Sequence, residues 1–300
     1  MYEQISSNRR KSFFLIFFFL VLIAGLAFLF GQMTEFGTYA LIPAVILAIA
    51  MTWGSYYYSD KIVLAASRAK PVKKEEFPHL FHLVEGLAIA AGIPKPRCYV
   101  IQDSAPNAFA TGRNPENAVI VVTTGLLKKL NRSELEGVVA HEMSHIKNYD
   151  VLVQTLAVVM AGVVVLLSDW ILRSFFWGGG RRRRSSSDNK GGGGTVLVVA
   201  ALILAVLAPL FSQIIRMAVS RKREYMADAN GGMLTRCPPG LASALRKLAA
   251  DKDPLEAANK ATAHLYIVNP LKSGRKESAM AKLFSTHPPI EDRIKKLEAM

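Results

Sequence analysis

Hydrophobic residues gather into four long runs separated by two stretches of mixed composition. Phe13 to Phe30 carries no polar side chain, and Tyr39 to Trp53 follows almost at once. These two runs predict a helical hairpin over residues 1–58, closing on Tyr56, Tyr57 and Tyr58, residues of the kind that settle at a membrane interface. Val151 to Ser168 is a third run of 18 residues, and Thr195 to Ile215 a fourth of 21. As helices they would extend about 27 Å and about 31 Å, enough to cross a bilayer, the third only just. They predict a second hydrophobic hairpin over 151–215, and its connector, Gly178 to Gly194, is a low-complexity Gly, Ser and Arg stretch with no means of burying a core.

The mixed stretches, 59–150 and 216–300, carry the signals of a folded domain. Glu76 to Ala91 has apolar residues at helical spacing (Leu80, Leu83, Val84, Leu87) and is stopped by Gly92-Ile93-Pro94. Arg97 to Gln102 and Ala118 to Val122 read as short buried strands rich in Val and Ile, with Asn107 to Thr111 as an edge strand between them. The next helix is closely specified. Asn131 can cap it, Glu134 completes a capping box, Leu130 and Leu135 form a hydrophobic staple, and the helix should run through His145. Further helical patterns lie at Leu241 to Ala249 and at the carboxyl end. The fold class expected is mainly helical α+β, a small sheet beside helices, with the two apolar hairpins making a multi-pass membrane protein.

Composition supports the membrane reading. The chain is 51% hydrophobic with a formal charge of +14 and a mean hydropathy of +0.24. Such a charge suits nucleic acid or the anionic cytoplasmic leaflet equally well. No zinc-finger or helix-turn-helix spacing accompanies it, so a lipid bilayer rather than nucleic acid is the expected partner. The first run is too long for the core of a signal peptide. Basic residues flank both outer ends of the first hairpin (Arg9, Arg10, Lys11; then Lys61, Arg68, Lys70, Lys73, Lys74), which predicts that both ends face the cytoplasm. Cys98 and Cys237 are too few and too far apart for a disulfide framework.

The chemistry is concentrated in His141-Glu142-Met143-Ser144-His145. Two histidines four residues apart project from one helical face within reach of one zinc ion, and Glu142 lies about 100° round the helix, where it can reach an activated water. Surface histidines on an ordinary helix would be the plain alternative. The motif instead follows a capped segment and uses two of only six histidines. A catalytic zinc needs a third protein ligand and an open position. Glu224 is the best candidate, because Glu224 and Asp228 are again four apart on an expected helix. One can bind metal while the other accepts the N–H of a ligand histidine. Nitrogen and oxygen ligands would also accept cobalt or manganese. His79, His82 and His264 have no partner motif and are read as packing or surface residues. Asp169 and Arg173 read as an interfacial pair. The runs otherwise hold no buried charge, which argues against a transporter or channel. A non-catalytic scaffold retaining a structural zinc is the remaining alternative.

The His141 to His145 motif, Arg223 to Asp228, Asn107-Ala108-Phe109-Ala110-Thr111-Gly112, and Thr286-His287-Pro288-Pro289-Ile290-Glu291-Asp292-Arg293 together resemble the HtpX family of membrane-bound heat-shock proteases, relatives of the CAAX prenyl proteases. The resemblance covers nearly the whole chain, although the Arg181 to Arg184 loop has no counterpart in it. It implies a gluzincin fold in which Glu224 is the third zinc ligand and Asp228 supports a histidine. It further implies that Glu142 is the general base, that His287 and Arg293 stabilise the oxyanion, and that Asn107, Ala108, Phe109 and Ala110 pair with an extended polypeptide substrate. Quality control of membrane proteins at the cytoplasmic membrane is the role it suggests. The second hairpin poses a conflict. Ligands on either side of it must share one face of the membrane, yet crossing twice would export a loop of net charge +4 (Arg181 to Arg184 and Lys190 against Asp188), against the positive-inside rule.

Overall fold

The computed structural model describes residues 2–33, 39, 41–160, 162, 220–251, 253, 255–256, 262, 265–268 and 288–300. The fourth apolar run, the Gly178 to Gly194 stretch, Asp169, Arg173, His264 and His287 lie outside the described residues.

Helices α1 (Tyr2–Met33) and α2 (Leu41–Ala66) take up the first two apolar runs and pack against each other. After a two-residue strand β1 (Lys70–Pro71), helix α3 spans Pro78–Ala91. It starts two residues later than the spacing suggests because Pro78 occupies the first turn, where its missing N–H costs nothing. It stops where expected, on Gly92 at φ 67°, whose N–H reaches back to the carbonyls of Ala88 and Ile89. Strands β2 (Arg97–Ile101), β3 (Ala108–Thr111) and β4 (Val119–Thr123) follow.

The sheet order is β1-β2-β4-β3. β2 and β4 run parallel, and β3 returns antiparallel on the outer side of β4. β3 is therefore an edge strand, as its sequence suggests, lying beside the second Val-rich strand. α4 (Thr124–Lys129) leads into α5 (Arg132–Lys147), whose capping box forms as its sequence dictates. Asn131 Oδ1 accepts from Glu134 N at 3.0 Å, and Glu134 Oε2 accepts from Asn131 N at 2.9 Å.

The chain turns at Asn148 and Tyr149, the latter at φ 61°, and residues 150–160 continue as helix. Helices α6 (Arg221–Thr235), α7 (Pro238–Ala250) and α8 (Ile290–Glu298) complete the described fold. The main core lies between the sheet and α5, with α3 and α7 closing its sides; Val100, Ile120, Val122, Leu126, Val139, Met143 and Leu245 are all 2% exposed or less. Stripping that apolar surface from water is the principal source of stability for an element as polar as α5. A smaller cluster joins Leu15, Phe19 and Ile23 of α1 to Leu152, Leu156 and Met160.

Two glycines set how closely the site helices approach. A Cβ on Gly137 would lie 2.8 Å from the Leu241 backbone, and one on Gly231 would lie 3.0 Å from His141 N. The second contact brings α6 against α5 at the first histidine of the motif, so that Glu224 and Asp228, on the same helix as Gly231, arrive beside the imidazoles.

Among the described residues no helix is long and apolar enough to cross a membrane. The third and fourth apolar runs extend into residues outside that set.

Candidate active site

α5 presents His141 and His145 one turn apart, both 3% exposed or less, with their rings at 87° to each other. Their Nε2 atoms face each other at 3.2 Å. Glu224 enters from α6, with Oε1 at 3.5 Å from His145 Nε2 and Oε2 at 3.8 Å from His141 Nε2. A tetrahedral ion with bonds of about 2.0–2.2 Å spaces its donors about 3.3–3.6 Å apart. The imidazole nitrogens at 3.2 Å, with one Glu224 oxygen 3.5 Å from His145 and the other 3.8 Å from His141, come close to that spacing, and one donor atom from each residue lies within 4.8 Å of the others. Among the described residues, His141, His145 and Glu224 are the His, Cys, Asp or Glu group that could hold a metal.

Each histidine is backed by a carboxylate. His141 Nδ1 lies 2.9 Å from Asp228 Oδ1, and His145 Nδ1 lies 3.0 Å from Asp150 Oδ2. A carboxylate can only accept, so it selects the tautomer protonated at Nδ1 and leaves the Nε2 lone pair for the metal. Burial works against a charge on His145, but the Asp150 hydrogen bond, with Glu224 and Glu142 nearby, outweighs it and raises its pKa to about 9. A metal ion would take the place of that proton, as metal binding to histidine does generally.

Asp228 is held in turn by Arg293 of α8. The guanidinium binds it in a fork, Nε to Oδ2 at 2.8 Å and Nη2 to Oδ1 at 2.7 Å, while Nη1 donates to Ile267 O at 3.1 Å and lies 3.6 Å from Glu224 Oε2. Arg293 is fully buried. Burial would raise the Asp228 pKa, yet Arg293 and His141 outweigh it and hold the carboxyl at about 2.

Glu142, between the two histidines in the motif helix, is 3% exposed. Burial raises its pKa, against the pull of the two histidines, and Glu224 adds to the rise. The backbone N–H of Ala110 donates to its carboxylate, so edge strand β3 and the motif helix meet at this residue.

The outer edge of β3 is itself occupied. Ala108 O accepts from Ile267 N at 3.0 Å, Asn107 Nδ2 donates to Val268 O at 2.9 Å, and Tyr266 packs edge-on against Phe109. Asn107, Ala108, Phe109 and Ala110 are all buried.

The structure therefore brings His141, Glu142, His145, Glu224, Asp228 and Arg293 together and sets Asn107 to Ala110 alongside. Asp150 went unread in the sequence. It sits at the edge of an apolar run, and only the left-handed turn at Tyr149 swings it back to His145.

Comparison with known proteins bears on the same residues. A profile described as peptidase family M48 matches residues 74–300, a span that includes every site residue just described. The chain belongs to peptidase family M48. That makes it a metalloprotease, and the relatives agree. It is 49% identical to the protease HtpX homolog of Dictyoglomus turgidum over 100% of this chain and 94% of that protein. The corresponding protein of Thermoanaerobacter pseudethanolicus is 46% identical over 100% and 98%. Among solved structures, the crystal structure of S. mikatae Ste24p aligns with a TM-score of 0.51 at 19% identity, covering 99% of this chain and 67% of that one. At that identity the likeness is one of fold, and it accords with the helical α+β architecture.

Proposed function

We propose that the protein is a membrane-bound, zinc-dependent endopeptidase whose active site faces the cytoplasm and whose substrates are misfolded or damaged membrane proteins. The observation that carries the reading is the approach of His141, His145 and Glu224 to tetrahedral spacing with Glu142 beside them. His141, His145 and Glu224 would hold the zinc, which when bound would supply Lewis-acid chemistry, a polarised carbonyl and a more acidic water. Glu142 accepts the proton and passes it to the leaving amine. Asp228 and Asp150 keep the two histidines in the metal-binding tautomer. Arg293 supports the centre through Asp228, because its fork is already taken. His287 remains the proposed oxyanion donor. An extended substrate adding along β3 beside Asn107 to Ala110 has to displace the 265–268 segment from Ala108 O.

Support for the membrane comes from the first hairpin. Phe13, Phe14, Phe17, Ile42, Ile46 and Trp53 are each 57–66% exposed, an apolar surface that water disfavours and lipid covers. Two measurements test the proposal. Glu224→Ala in detergent-purified protein should lose zinc and casein cleavage together; full zinc and full activity would remove Glu224 from the ligand set. For topology, a cysteine at Ser186 should react with an impermeant thiol reagent in intact cells if the second hairpin spans, and only after lysis if it lies on the cytoplasmic side.

A further inference from the structure

Helix α1 does more than supply apolar surface. Asn8, in its second turn, is 2% exposed. Its Nδ2 donates to Asp150 Oδ1 at 2.7 Å and to Asn148 O at 2.9 Å. Its Oδ1 faces Arg223 Nη1 at 3.5 Å, and the same Nη1 lies 3.3 Å from Asp150 Oδ1. Asp150 thus gives one oxygen to Asn8 and Arg223 and the other to His145 Nδ1 at 3.0 Å. We infer that the start of α1 is a working part of the metal centre: Asn8 fixes Asp150, and Asp150 fixes His145 with its Nε2 turned to the metal.

The chemistry of the position is specific. Two acceptors and one donor surround the Asn8 side chain, which is the complement of a primary amide. An aspartate there would set a carboxylate against that of Asp150, and an aliphatic residue would leave part of the buried carboxylate unanswered. The helix is also built to deliver it. Asn8, Ser12, Leu15, Phe19 and Ile23 are the buried residues of one face, spaced three or four apart, and the last three pack on residues 152–160. Arg223 immediately precedes Glu224 in α6, so the same cluster touches the helix that carries the third ligand. Asn8 is therefore a positioning residue, acting through Asp150, and tight metal binding depends on its amide reaching that carboxylate.

The inference rests on the zinc reading above, and the test separates the two. Full-length protein in detergent is titrated with a chromophoric chelator to obtain zinc affinity, and the metal-free proteins are melted. Removing an outer partner of a metal ligand typically weakens binding about 10–100-fold. Asn8→Ala and Asp150→Ala should each fall in that range, and the double variant should bind no more weakly than Asp150→Ala alone, because both changes break one chain of contacts. Leu15→Ala loosens the same helix without touching Asp150, and should lower the melting temperature while leaving zinc affinity unchanged. Asn8→Ser, too short to span to Asp150, replaces the alanine variant if that one does not fold. Wild-type zinc affinity in the Asn8 variants, independent effects in the double variant, or equal loss in Leu15→Ala would each overturn the inference. Should the unmodified protein bind no zinc, or His141→Ala bind it as well, the metal reading itself falls and this inference with it.

Discussion

Arg293→Ala is expected to cost about 3–5 kcal/mol of folding stability, the usual loss when one partner of a buried ion pair is removed and the other stays behind. Asp228 would keep a buried charge with His141 Nδ1 as its remaining neighbour from this cluster, and Ile267 O would lose its donor. Zinc should weaken as well, because His141 is oriented through Asp228. Arg293→Lys retains the charge without the fork, so it should recover part of the stability and less of the metal affinity. Denaturation in detergent, paired with metal analysis, reads both quantities. A direct oxyanion role makes a different forecast: turnover down about 10²–10³-fold with stability and zinc unchanged. Zinc content in the folded variant decides between them.

For Glu142→Gln the expected result is a fall in cleavage of about 10²–10⁴-fold, the usual contribution of a general base, with zinc retained. The amide is nearly isosteric and can still accept from the Ala110 N–H, so the motif helix and β3 should stay in place. Casein digestion with metal analysis on the same preparation is sufficient. If zinc leaves with activity, Glu142 belongs on the metal rather than beside it.

What the sequence made legible was local. Asn131, Glu134 and the His141 to His145 spacing are all satisfied within one helix, so their meaning survives translation into one dimension. Glu224 and Asp228 could be paired with the motif because four-residue spacing announces a shared face. Strand identities came from runs of Val and Ile, but their order depended on where β3 returned, which no local signal encodes. Arg293 could be read as a free cation by its type. Its actual engagement by Asp228 and Ile267 is set by tertiary packing. Asp150 and Asn8 were silent for the same reason: they lie 142 positions apart, and one left-handed residue at Tyr149 brings the first of them to the histidine.

That long-range construction has a consequence in time. His141 and Arg293 are 152 residues apart (293 − 141), with Glu224 between them. At about 5–20 residues per second, a ribosome needs roughly 8–30 s to go from the first to the last. Through that interval the emerging chain holds His141, Glu142 and His145, but neither Glu224 at first nor the arginine that anchors Asp228. Until Glu224 has been made, the group of three residues that could hold a metal is incomplete, so the site is assembled late in synthesis.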